Sequence, residues 1–257
     1  LEVCQRAEKY IEENPLYYRE SKLATFQLKK MSAYLHMRDF KNGRINAEKA
    51  LNSFSEGSDE WYEFMEYYFL LALHTQNYIH ALAIYNRAVN LNKFKKQSSL
   101  VQEKWDIFNA YINYIIEIQG KDNQVLLAQR KKAFRLNRFL NDPVLYPKDK
   151  RIFTVLQVVA QILFLLEKRN TSEVKERIDR LKTYANRQLK KEEYFRVIQF
   201  IRLLQQLSKA DFNQENLSNT DKYYQRLLDT PFFYRGLIQE IEIVPYENLW
   251  KMILSRT

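Results

Sequence analysis

The chain reads as all-α, an array of antiparallel helical hairpins, and three observations predict it. Only 4 Gly and 5 Pro stand among 257 residues, too few turn-formers for a many-stranded β protein or for the glycine-rich phosphate loops of nucleotide-binding folds. The 19-residue segment Tyr34 to Asn52 recurs without gaps at Ala72 to Asn90. Apolar residues elsewhere fall at helical spacing, as Val174, Ile178, Leu181 and Ala185 do. A hydrophobic fraction of 46%, with 14% aromatic, is enough to pack such helices into a core.

Taken in order, Leu1 to Asn14 predicts the second helix of a preceding unit or a cap, ended by Pro15, which disfavours helix in the residue before it. The recurring segment follows. Leu35 matches Leu73, His36 matches His74, Phe40 matches Tyr78, Gly43 matches Ala81, Ala50 matches Ala88 and Asn52 matches Asn90, an offset of 38 residues. Small side chains at Gly43, Ala50, Ala81 and Ala88 let two antiparallel helices approach closely, while Tyr78 and Tyr85 fill the space beside them. The polar insert Ser53 to Asp59 separates the two copies. A third copy is predicted from Trp105 and Phe108 to Ala133, with an insertion around Gly120, Lys121 and Asp122.

Asn141 to Lys150 holds two prolines and is read as a connection between residues 1–140 and 151–239. Beyond it Ile152 to Glu167 pairs with Ser172 to Leu189, and Glu192 to Ser208 pairs with Thr220 to Leu228. Larger residues replace alanine here, so these are diverged hairpins continuing the array. From residue 240 the pattern changes: Glu240-Ile-Glu-Ile-Val244 alternates charged and apolar residues, and Pro245 leads into a short helix. Ile241, Ile243 and Trp250 are expected to pack on the last hairpin around Tyr223, Leu227 and Leu228, because a terminal repeat needs its open apolar face covered.

The second copy, with Gln76-Asn77-Tyr78 followed by Ala81, Tyr85 and Ala88, resembles the tetratricopeptide repeat. Met65, Tyr68, Phe69 and Ala72 stand where that family has Trp, Leu, Gly and Tyr, and the 38-residue offset exceeds its usual ~34. The resemblance implies an α-α superhelix, a solenoid of about five to seven hairpins. In that family the first helix of each hairpin lines a concave groove. Leu28, Ser32, Leu35 and His36 in copy one, with Glu66, Tyr67, Leu70 and His74 in copy two, map onto it. Leu28 and Ser32 replace the Lys and Asn with which family members clamp acidic peptide C-termini. The ending Glu240 to Trp250 resembles the tails of uncharacterised helical-repeat proteins from Bacteroidetes bacteria.

The function expected from this reading is non-catalytic: a scaffold that holds a protein or peptide in an apolar, aromatic groove. No cofactor, metal or catalytic residue is expected, because His36, His74 and His80 form no metal-binding frame and Glu12-Glu13 and Glu192-Glu193 sit side by side on helices, facing apart. The runner-up is nucleic-acid association. Arg130, Lys131, Arg135 and Arg138 would share one helical face, and a net charge of +10 favours an acidic partner. Cys4 is the only cysteine, which gives no intrachain disulfide and fits a reducing, cytoplasmic setting. The apolar run Ile152 to Leu166 is 15 residues long and carries Gln157 and Gln161, short of a membrane span.

Overall fold

The structure, a computed structural model, describes the chain except residues 15, 17–19, 121–122, 131–132, 142–145, 148–149, 190–191, 218–219, 235, 237–240 and 257. It is all-helical, with no strand among the described residues. Two compact units divide it, Leu1–Lys132 and Ala133–Thr257, so the division falls N-terminal of the Pro-containing connection read from the sequence.

The first unit holds α1 (Glu2–Glu13), α2 (Glu20–Met37), α3 (Phe40–Ala50), α4 (Asp59–His74), α5 (Tyr78–Val89), α6 (Ser99–Gln119) and the short α7 (Gln124–Ala128). Each packs on its neighbour in the chain, and α2 also packs on α4. Helix starts follow side-chain capping. Ser58 accepts from the Trp61 N–H at 3.2 Å with Asp59 and Glu60 in the first turn, and Asp39 accepts from the Asn42 N–H at 3.1 Å; such caps satisfy amides the helix leaves orphaned. The third copy is shorter than its alignment implies: its second helix ends at Ala128, and Ala133 lies exposed in non-helical chain. Of the insertion expected there, Lys121 and Asp122 are outside the described residues.

The second unit holds α8 (Leu136–Asn141), α9 (Arg151–Glu167), α10 (Thr171–Gln188), α11 (Phe195–Lys209), α12 (Thr220–Asp229) and α13 (Tyr246–Leu254). Here too consecutive helices pack, α9 on α10, α10 on α11 and α11 on α12, while α13 contacts both α11 and α12. Although α9 is strongly apolar, no helix among the described residues is long and apolar enough to cross a membrane.

One turn recurs in both units. After α2, α4 and α9, a residue with positive φ (Arg38 53°, Gln76 59°, Arg169 54°) is followed by Asp39, Asn77 or Asn170. In each case its own N–H reaches a carbonyl three residues back (Leu35, Leu73, Leu166), and the next N–H reaches five back (Tyr34, Ala72, Leu165), at 2.8–3.1 Å. These paired bonds close the helix end and reverse the chain. The Asp or Asn carbonyl then accepts from the residue four further on, Gly43, Ala81 or Val174, at 3.0–3.1 Å. The same register puts Ala50, Ala88 and Leu181 eleven residues after the Asp or Asn, and all three are buried. Gly43 shows why the position is small: a Cβ there would collide with Leu71 and lie 3.1 Å from the Tyr34 Cβ. A fourth turn, after α11, closes with the same pair of bonds, from Asp211 to Ser208 and from Phe212 to Leu207.

Candidate functional site

The eight groove residues divide by helix. On α2, Leu28, Ser32 and His36 are half-buried and Leu35 is fully buried. The His36 Nδ1–H donates to the Ser32 carbonyl at 2.6 Å, which fixes the ring along the helix. On α4, Glu66, Tyr67, Leu70 and His74 are 0–5% exposed, so this half of the expected groove is a packed surface in the structure. The cause is local. α4 lies against α2 and α5, its Phe69 stacks on Phe108 of α6 at 4.9 Å, and Glu66 takes the Lys104 ammonium at 2.7 Å. A buried carboxylate needs such a partner, and this one ties α4 to α6.

Apart from Met37 in the last turn, the exposed residues described along α2 are polar. Lys22, Thr25 and Lys29 are exposed N-terminal of Ser32 and His36, and helical spacing puts all five on one side. The apolar, aromatic lining expected of the groove lies instead inside the packing. On the far side of α2 a buried network joins three helices: Lys30 pairs with Glu8 of α1 at 2.8 Å, Gln27 donates to the same carboxylate at 2.7 Å, and Asn46 of α3 donates to Gln27 at 3.1 Å.

The histidines do not converge. His80 of α5 meets Phe40 of α3 edge-on at 5.1 Å and accepts from Arg44 at 3.4 Å, while His74 is buried in α4. Among the described residues no group of His, Cys, Asp and Glu could hold a metal.

The basic stretch differs from its expected helix. α7 ends at Ala128 and α8 begins at Leu136, which leaves Arg130 and Arg135 in non-helical chain and only Arg138 on a helix; Lys131 lies outside the described residues. Arg130 belongs to the first unit, Arg135 and Arg138 to the second. Two forces work against a continuous helix: like charges four apart repel, and Phe134 leaves the line to stack on Phe164 at 5.3 Å.

The strongest polar cluster was not read from the sequence. Arg196, in the first turn of α11, donates to Glu242 with Nε and Nη2, both at 2.8 Å, to Glu247 at 2.6 Å, and to the Leu227 and Thr230 carbonyls. Burial works against the Arg196 charge, but the hydrogen bonds and negative charge of the two carboxylates outweigh it and raise its pKa. Burial pushes the Glu242 carboxyl above the usual carboxylate range, with Arg196 pulling it back. A cavity of about 270 Å³ opens beside this cluster, bordered by Glu192, Phe195, Thr230 and Phe232. The one signal for it was a lone arginine at the start of a helix with an apolar face. No protein-family model, no curated protein and no solved structure matches the chain.

Proposed function

We propose that this chain is a non-catalytic scaffold, a tetratricopeptide-like solenoid that holds a protein or peptide partner along its first-helix face. The observation that supports this is the shared turn. One hairpin geometry, with the same two backbone bonds and the same small or buried positions four and eleven residues on, is used in both units. Repeated hairpins stacked on their neighbours form an extended surface, and that surface is what such arrays offer to other macromolecules. Chemistry at a single point needs a different arrangement: converging groups with matched proton affinities. The accessible part of the face is the α2 side, with Lys22, Thr25 and Lys29 exposed and Leu28, Ser32 and His36 half-buried beside them. Its lysines suit a segment carrying carboxylates, held in part by charge and therefore sensitive to salt.

The test is affinity capture from the native cytoplasm with the wild-type chain and with a Ser32→Trp variant, followed by identification of bound species. One protein retained by the wild type and lost with Ser32→Trp is the expected result. Capture of nucleic acid instead, falling steeply with salt as phosphate binding does, would reject the reading and favour the basic residues Arg130, Arg135 and Arg138.

A further inference from the structure

The C-terminal segment raises a question of register that its sequence pattern does not answer. Alternation of Glu and Ile over 240–244 leads one to expect Ile241 and Ile243 inward and Glu242 outward. In the structure Ile241, Glu242, Ile243 and Val244 are all buried, at 1–3% exposure, and Glu240 is outside the described residues. Glu242 is inside because it has two partners. One oxygen accepts the Tyr246 N–H at 2.8 Å, at the start of α13, where an anion is favoured by the orphaned amides and the helix dipole. The same carboxylate receives Arg196 in a two-pronged contact, the geometry that makes arginine–carboxylate pairs directional. The other edge of the guanidinium donates to the Leu227 and Thr230 carbonyls, in the last turn of α12 and just beyond it, where cations are favoured. Charges therefore alternate in one line: start of α13, Glu242, Arg196, end of α12. Around this line Tyr246 stacks on Phe200 at 4.8 Å, and Leu249, Trp250 and Ile253 are buried.

We infer that residues 241–254 are an intramolecular cap on the α11–α12 hairpin, covering the face on which a second copy of this chain would otherwise pack, and that Arg196 is the positioning residue that locks the cap in one register. A purely apolar cap could slide or be exchanged for an equivalent segment from another molecule. The lock removes that freedom, because any other placement leaves buried charges without partners. The second copy is the occupant because its own segment 241–254 is by construction complementary to the covered face, the condition for exchange of identical elements. The cap is independent of the partner proposed for α2.

Two full-length variants test this. Arg196→Lys keeps the charge but cannot bridge two carboxylates and two carbonyls from one planar fork. The triple variant Arg196→Met, Glu242→Leu, Glu247→Leu removes the lock and leaves no buried charge behind. Amide hydrogen exchange and sedimentation velocity are measured on both. In Arg196→Lys the amides of 246–254 are expected to exchange at least about tenfold faster, with α9 and α10 unchanged, as local opening requires. The triple variant is expected to keep its helical content and to dimerise as concentration rises, while the wild type does not. Exchange that rises equally in α9 and α10, or a triple variant that stays monomeric at every concentration, overturns the inference.

Discussion

The register of the repeated hairpin is tested most cleanly on α5, where two alanines five residues apart face opposite ways. Ala88 is 0% exposed and its carbonyl accepts the buried Tyr62 hydroxyl at 3.1 Å, whereas Ala83 is exposed. Replacing Ala88 by Leu adds three carbons where no solvent reaches. Those atoms must displace neighbours already at contact, which costs about 1–3 kcal/mol in close-packed interiors. The substitution gains nothing to offset this, since Ala and Leu are both strong helix formers. Ala83→Leu makes the same chemical change on the surface and should stay within about 0.5 kcal/mol of the wild type. A domain of this size shifts its Tm by roughly 2–8 °C per kcal/mol, so Ala88→Leu should melt clearly below both the wild type and Ala83→Leu. Differential scanning calorimetry of the three proteins reads this directly. Equal melting of the two leucine variants would refute the packing of α4 on α5 described above.

Three further outcomes are expected. Gln76→Gly and Arg169→Gly should each add about 0.5–1 kcal/mol of stability, read as a higher urea midpoint, because both residues hold a left-handed backbone that costs a side chain more than it costs glycine; no gain would count against those turns. Gly43→Ala, worth up to about 1 kcal/mol in an open helix, should instead lower the melting temperature, since its Cβ meets Leu71 and Tyr34. Burial pushes the phenols of Tyr62, Tyr68 and Tyr78 up to about 12 from an ordinary 10. The folded chain keeps protons that the unfolded chain loses, so stability should be intact below pH 10 and fall as pH rises from 10 toward 12. Tyrosinate absorbance that appears together with loss of helical ellipticity in that window is the expected signature, and independent ionisation of these rings at pH 10 would contradict it.

How much of this was legible in the sequence depended on whether a residue's role was local. Gly43, Ala81 and Ala88 announced the hairpins because close helix contact demands small side chains at a fixed spacing, and the Asp39 and Asn77 turns lie within the matched segments. The Asn170 turn does not: Val174 and Leu181 stand where the first unit has small residues, and only the backbone bonds reveal the equivalence. α4 carried a readable warning. Trp61 to His74 is apolar or aromatic almost all round, which marks a helix enclosed on every side, yet mapping it on the repeat pattern assigned one face to a groove. For the stretch 130–138, helical spacing alone could not register that Phe134 is drawn to Phe164. The Arg196 cluster joins residues up to 51 positions apart, a pairing that no local pattern encodes.

The central claim is that the α2 face engages a protein partner, and site-specific photo-crosslinking tests it most directly. A benzophenone side chain placed at Thr25, exposed on that face, is compared with one at Ala83, which is also exposed but lies on α5. Irradiation in a whole-cell extract should give one discrete protein adduct from position 25, competed away by excess unlabelled chain, and none from position 83. The same adducts from both positions, or none from position 25, would contradict the account.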